Sequence, residues 1–592
     1  MTIFFLVNIV STKNCCYIMS GIFLVISRDS FPGGEGKVKD DLSLICRRML
    51  PEGSNASDAT INVSSNACLL VSVPDSKVNI HDVSICSGAI SDLDPFWWEC
   101  DYVSSNASFL CSVNELRCIL SSNSTASRSI WYYFDNDRLV VSSSQKAIVA
   151  WIGSFQSNSQ AISWMLATGN LGPGNSWDVR LKHLGAGEVV KLDRANWSLD
   201  VSQRVSNQSN PLNLSKSQLV EKLDSTFENV FKNTNFDLSN SILTLSGGYD
   251  SRAVLFYLVR SGVKINTVTW GLSSSVNDEI TDSNIAARIA GRLGVSNEYF
   301  TTDFTDRSFD PLFNRFLQYG EGRLDHINSF MDGFRMWESL FHRGVRNIVR
   351  ADEAFGWLPS KTEQDVRISL DLHMMEDNAN MLPLKNFDLE PQVYPQFCSR
   401  MESETIEEWR DRLYRQFRIP YVLSSLHDLI HPFVEVYNPL LHEDIVNFSA
   451  ALPDNLRTNK KIYAKFVSDL IPEIPFAKKA SIPEPAAILR SAKIVSLMLD
   501  EMNSQDTKNL LNADFISWVQ GHLNVDDHQI NSINNNWTVW FKNQIPWRIK
   551  KLIRKELIKY SADFNQLAFR SVIITRMHRM MNVESDLLRR KK

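Results

Sequence analysis

The sequence predicts a two-domain α/β protein, with a β-rich N-terminal half and a parallel α/β C-terminal half carrying helical additions. Two observations predict it. From about residue 19 to 205, short segments rich in β-branched and aromatic residues (GIFLVIS, ACLLVSV, SIWYYF, RLVVSSS, GEVVKLD) are separated by Ser/Asn/Gly/Asp turns. Further on, strand-like segments alternate with helical ones: SILTL, a helix, INTVTW, the helix DSNIAARIAGRLG, NEYFTTD, a helix, then RNIVRAD. That alternation argues for a parallel sheet, and after about 360 the pattern becomes mainly helical. Between the halves, Ser202 to Gln218 is polar, Ser/Asn-rich and carries Pro211, which is linker chemistry. The boundaries read as an extension over 1–18, a first domain over 19–205, a linker over 206–218, a second domain over 219–500 and a helical basic region over 501–592.

Composition narrows the function classes. A chain of 592 residues with 44% hydrophobic residues can bury large cores. A net charge of −5 gives no whole-chain attraction to nucleic acid. No apolar run reaches the roughly 18 residues a spanning helix needs, and MTIFFLVNIV lacks the basic start and cleavage site of a signal peptide. The expectation is a cytoplasmic protein without a transmembrane segment. Of nine cysteines, all but Cys398 lie within the first 118 residues without metal-like spacing, so free thiols are expected. The Asn-x-Ser/Thr sequons follow from the abundance of Ser and Asn and are set aside.

The most informative stretch is SILTLSGGYDSRAVLFYLVRSG, ending at Gly262. Leu243 to Leu245 end a strand, while Ala253, Val254, Tyr257, Leu258 and Ser261 fall on one face of a following helix. Gly247 and Gly248 therefore sit where a strand ends and a helix begins. Free N–H groups and the positive helix end favour an anion there. The plainer alternative is an ordinary turn with Ser246 or Asp250 as N-cap.

The Ser-Gly-Gly-x-Asp-Ser spacing resembles the pyrophosphate loop (PP-loop) of N-type ATP pyrophosphatases. Further segments narrow the resemblance to the asparagine synthetase family: TVTWG, NIAARIAGRLGVSNEYF, YGEGRLDHINSFMDGFRMWESLFHRGVRNIVRADEAFGW, EVYNPLLHEDIVNFSAALPDNLR and LIPEIPFAKKASIPEP. Together they cover most of 240–485 in the family's order. In the first half, MSGIFLVIS, SIWYYFDNDRLVVSSSQKAIVAW and HLGAGEVVKLD resemble class II glutamine amidotransferases. That implies a degenerate N-terminal-nucleophile αββα sandwich.

The resemblance implies ATP and Mg²⁺ as cofactors, with a carboxylate and ammonia or an amine as substrates; a homodimer is compatible with it. Leu245, Ser246, Gly247, Gly248, Asp250 and Ser251 would cradle phosphates, Trp270 and Gly271 would line the adenine pocket, and Asp250, Asp352 and Glu353 would serve Mg²⁺. For Glu353 an exposed loop acid is the alternative. Lys479 matches the family's charge-neutralising lysine, with Lys478 the competing choice. Glu435 and Glu321 match family glutamates; for Glu435 the alternative is a structural salt bridge.

The chain also departs from the family. Val349 stands where a catalytic glutamate is expected, and Arg350 adds a permanent cation beside it. Ser20 follows Met19 where a terminal cysteine should stand, and Ala89 replaces the glutamate that would recognise glutamine. The expected function is an AMP- and pyrophosphate-forming amide ligase. A catalytically inactive binding protein is the alternative, and the absence of a CxxC pair argues against sulfur or amine transfer to tRNA. The basic residues from Arg548 to Lys559 read as an amphipathic helix, packed on its own domain or lying on an anionic membrane.

Overall fold

The computed structural model describes residues 21–49, 59–72, 78–88, 94–102, 107–204, 212–232, 238, 240–303, 309–327, 333–483, 485–526 and 560–589. Met19, Ser20, Ala89 and the basic stretch 548–559 lie outside them.

The first half contains two six-stranded antiparallel sheets. One runs, in spatial order, Lys182–His183, Trp131–Phe134, Arg138–Ser142, Ile22–Ser27, Ala67–Val71, Thr60–Val63; the other runs Ser198–Gln203, Glu188–Asp193, Arg117–Ser122, Ala107–Val113, Ser84–Gly88, Val78–His81. The run IFLVI is apolar without a break because both faces of its strand are covered. Ile22, Leu24 and Ile26 point into the core between the sheets, whereas Phe23 and Val25 pack under the helices Gly34–Met49 and Gln145–Ile152.

Of the expected αββα sandwich, the described residues show the two sheets and a helical layer over the first of them. The outer face of the second sheet is covered by the short turn Trp97–Glu99, packed on Cys86 and Leu110, rather than by a helical layer. The strand Ser198–Gln203 at that sheet's edge is polar and mostly exposed, so it offers no apolar face for a helix to bury. Every described cysteine is a free thiol.

The second half is built on a five-stranded parallel sheet in the order Asn297–Thr301, Asn266–Gly271, Ser241–Thr244, Asn347–Val349, Glu435–Tyr437. The last strand, only three residues long, falls in the region read as helical; so short a run carries no periodicity. Alternate side chains serve two cores. Ile242, Val268 and Ile348 pack with Phe316, Trp337 and Leu340, whereas Leu243, Leu245 and Val349 pack with Phe227, Leu255 and Ile289. The helix Lys216–Lys232 begins inside the predicted linker and buries Leu219, Leu223, Phe227, Val230 and Phe231, an i, i+4 stripe. Each such fully buried side chain contributes about 1.5–3 kcal/mol.

The chain fills the sheet outward from Ser241–Thr244 in one direction, then returns to its other side at Asn347–Val349. The loops after these two neighbouring strands therefore diverge and leave a crevice at the carboxyl edge, the usual ligand position in such sheets. The helix Phe564–Ser585 joins the halves. It packs on Gln145–Ile152 and Ser159–Thr168 of the first half and on Ala492–Met502 of the second. Phe569, Val572, Ile573 and Met577 are fully buried in one core with Val149, Met165 and Phe313, so the 500/501 boundary does not coincide with a break in packing. Among the described residues, no helix is long and apolar enough to cross a membrane.

Candidate functional site

The crevice at the switch point is lined by the two loops the sequence singled out. Tyr249 precedes the helix Asp250–Arg260 without a side-chain cap, so neither Ser246 nor Asp250 is the N-cap. The serines instead brace the loop: Ser251 Oγ accepts the Ser246 N–H at 3.0 Å, and the two hydroxyls lie 3.0 Å apart. The Gly248 N–H donates to Ser246 Oγ at 3.3 Å, and the Gly247 N–H to Asp282 Oδ1 at 3.0 Å.

Two glycines are required by close approach. A Cβ at Gly247 would lie 2.5 Å from the Ala477 methyl, and one at Gly271 would run into the backbone of Ser481. The segment 477–481, which contains the two candidate lysines, thus lies directly on the carboxyl ends of these strands. The Ala477 N–H donates to Gly247 O at 3.0 Å and the Leu272 N–H to Ser481 O at 2.7 Å. Lys479 Nζ is 2.7 Å from Asp278 Oδ2, while Lys478 is exposed. Leu245 is buried in the core beneath the loop, and Trp270 is half-buried edge-on to Trp337.

Three carboxylates meet on the other side of the crevice. Lys460 Nζ lies 3.0 and 3.2 Å from the Asp250 oxygens and 2.8 Å from Glu353 Oε1. Asp352 takes His427 Nε2 at 2.6 Å and Arg350 at 3.3 Å, and its N–H donates to Asn438 Oδ1 at 3.2 Å.

The environments drive these carboxyls apart. Burial pushes Asp250 up, Lys460 opposes, and the neighbouring Asp352 charge adds to the rise. Because 27% of its side chain stays exposed, solvent screens part of that rise. Burial likewise pushes Glu353 up to about 7, against Lys460. Burial would raise Asp352 too, but Arg350 and His427 outweigh it and hold the carboxyl well below the usual range. Glu353 is 3% exposed, which rules out the surface-acid alternative. Hard carboxylate oxygens on neighbouring strand ends fit Mg²⁺ chemically, and Lys460 and Arg350 are the cations with which it would compete.

Other sequence candidates lie elsewhere. Glu435 accepts from Arg128 Nη1 at 2.8 and 3.0 Å, an ion pair between the two halves of the chain. Burial there would raise the carboxyl, but Arg128 and His431 bring it below its ordinary value. This is the salt-bridge alternative. Glu321, buried with φ at 51°, accepts from Ser144 Oγ at 2.6 Å and from the N–H groups of Gln145 and Lys146 at 2.9 and 3.2 Å. It caps a helix of the first half instead of joining the carboxylate cluster. Val349 is fully buried in the apolar core, so its side chain is turned away from the crevice.

A cavity of about 60 Å³ lies on the seam between the halves, lined by Gly88, Asn123, Arg128, His427, Glu435 and Asn438 among others. His427 connects this cavity to Asp352. Lys460, His427, Asp282 and Arg128 were not legible as site residues, because each reaches its partner across 35 to more than 300 positions of chain.

No family model matches the chain, and no curated protein does. Among solved structures, it is similar to a glutamine phosphoribosylpyrophosphate amidotransferase from B. subtilis complexed with ADP and GMP. The identity is 9% and the TM-score 0.18, over 47% of this chain and 65% of that one, so the match spans less than two thirds of that protein's length. A likeness at that level carries no argument about the site.

Proposed function

We propose that the chain is an asparagine synthetase-like, ATP-dependent amide ligase that activates a carboxylate as its acyl-adenylate and releases pyrophosphate. The observation that carries this reading is the position of the Ser246–Gly248 loop and the Asp352–Glu353 loop on adjacent strands at the switch point. Attack of a substrate carboxylate on the α-phosphorus forms an acyl–phosphate bond and breaks the α–β bridge, whose electrons leave with pyrophosphate. The Gly248 N–H and the Ser246 and Ser251 hydroxyls would hold the terminal phosphates. Asp250 and Asp352 would hold Mg²⁺, which supplies neutralising charge at the phosphates when bound. Lys479 would stabilise charge on the leaving oxygen after exchanging Asp278 for phosphate. Ammonia or an amine then attacks the acyl carbon and expels AMP.

Substrate-dependent exchange of radiolabelled pyrophosphate into ATP tests the reading across a panel of amino acids and other carboxylates. Asp250→Asn and Asp352→Asn should each abolish exchange in a folded protein. Lys479→Met should lower turnover by about 10²-fold, the scale of one lost charge-stabilising group, with nucleotide affinity changed much less. Near-normal exchange in both aspartate variants would remove the nucleotide from this crevice. With Ser20 and Ala89 in place of glutaminase groups, glutamine should not serve as nitrogen donor, and no glutamate should be released from it.

One observation favours the second reading, an inactive binding protein. The Gly247 N–H, the first donor a phosphate would meet, is committed to Asp282. Absence of exchange with every carboxylate, together with measurable ATP binding, would select it.

A further inference from the structure

Lys460 is the cation that closes the carboxylate crevice, and its backbone is unusual. It lies where the helices Asp454–Arg457 and Lys461–Leu470 meet, and both Asn459 (φ 59°) and Lys460 (φ 54°) occupy the left-handed region, sparsely populated by residues with a Cβ. This turn is tied to the Asp352–Glu353 loop, because the Asn459 N–H donates to Trp357 O at 2.9 Å. It carries the ammonium between two carboxylates from different loops, within 3.2 Å of Asp250 and 2.8 Å of Glu353. A third oxygen faces the same place. The Tyr463 hydroxyl is fully buried, leans on the Asp250 carboxylate as a donor and feels the Glu353 charge as well. Two carboxylates from different loops, with a buried hydroxyl beside one of them, present hard oxygens of the kind a divalent cation takes, and the chain's own ammonium sits between the carboxylates. The ammonium is not sealed in, since 22% of the Lys460 side chain is exposed.

We infer that Lys460 is a tethered-cation gate: its ammonium holds the place between Asp250 and Glu353 and must leave before a divalent cation can enter there. Withdrawal exchanges one positive charge for two between the same carboxylates and frees the turn to relax from its left-handed conformation. The inference rests on the ligase reading only in expecting Mg²⁺ to be the physiological ion; the competition itself requires no nucleotide.

Mn²⁺ binding to the full chain without nucleotide, followed by electron paramagnetic resonance, tests the gate. Lys460→Met and Lys460→Gln should bind one Mn²⁺ about tenfold or more tighter than the unsubstituted protein, the scale of one charge removed at contact distance. Adding Asp250→Asn should abolish the gain, and Lys460→Arg should behave like the unsubstituted protein. The gate is overturned if folded Lys460→Met and Lys460→Gln gain no affinity, if the gain survives Asp250→Asn, or if the unsubstituted protein already binds as tightly. Failure of both variants to fold also overturns it, because a residue that leaves its place on cation binding cannot be indispensable to the fold. Absence of pyrophosphate exchange in the unsubstituted protein with every carboxylate, alongside the expected Mn²⁺ gain in the variants, would reject the ligase reading and leave the gate intact.

Discussion

Buried charges occur in two regions of this molecule and are treated differently in each. Along the seam between the halves, acids are held in fixed pairs or caps. Asp325 takes Arg570 and Gln566 at 2.6 and 3.0 Å, Arg570 also donates to the Leu166 and Ala167 carbonyls, Glu435 takes Arg128, and Glu321 caps a helix. At the switch point three carboxylates share Lys460, Arg350 and His427. Two of those carboxyls are raised and one is lowered. Matched pairs fix geometry, whereas an acidic cluster with divergent proton affinities is poised to exchange a cation or proton. The seam's pairs tie the two halves together, whereas the switch point crowds carboxyls of divergent proton affinity.

The sharpest break between the regions should come from removing one acid in each. Asp325→Ala leaves Arg570 buried and unpaired and should cost about 3–5 kcal/mol, whereas Asp250→Asn relieves crowding and should cost under about 1 kcal/mol while abolishing exchange. Urea unfolding followed by circular dichroism compares them, and equal losses would erase the distinction. Glu435→Gln should fall between, at about 2 kcal/mol, because the amide still accepts one bond from Arg128. Next in size, Gly271→Ala should cost about 1–3 kcal/mol by pushing the 477–481 segment off the strand ends. A neutral Gly271→Ala would mean that this approach is looser than described.

Acid should attack the seam before the switch point. Burial lowers His183 and His431 to about 3 and His578 to about 4, from an ordinary 6.5. The folded state keeps these rings neutral while the unfolded chain takes up protons below about 6.5. Stability is therefore full above that pH and falls as pH drops toward 3, by up to roughly 1.4 kcal/mol per pH unit for each histidine. Melting temperatures between pH 7.5 and 5 check this, and His578→Gln should flatten the slope by one histidine's share. The smallest effect should come from exposed Lys478: Lys478→Met should change stability by less than about 0.5 kcal/mol and leave exchange nearly unchanged. Loss of exchange in that variant would shift the register of the lysine segment by one residue.

The sequence by itself determined what local periodicity encodes. The apolar run at Leu243 to Leu245, the glycine turn and the face formed by Ala253, Val254, Tyr257 and Leu258 predict strand, loop and helix, and the structure places Ser241–Thr244 and Asp250–Arg260 there. The phosphate-loop candidates and Asp250, Asp352 and Glu353 are picked out by a family resemblance carried on short motifs, and the fold brings the two segments to the ends of adjacent strands. Tertiary structure alone decided which charges meet. Glu435 reads equally well as catalyst or ion-pair member until Arg128, 307 positions away, is seen against it. Lys460 belongs to no motif in the sequence, and only the left-handed turn of the folded chain carries it between Asp250 and Glu353. Secondary structure follows from neighbours a few residues apart, whereas the energy of a buried charge depends on every group within several ångströms, and those groups come together only when the chain has folded.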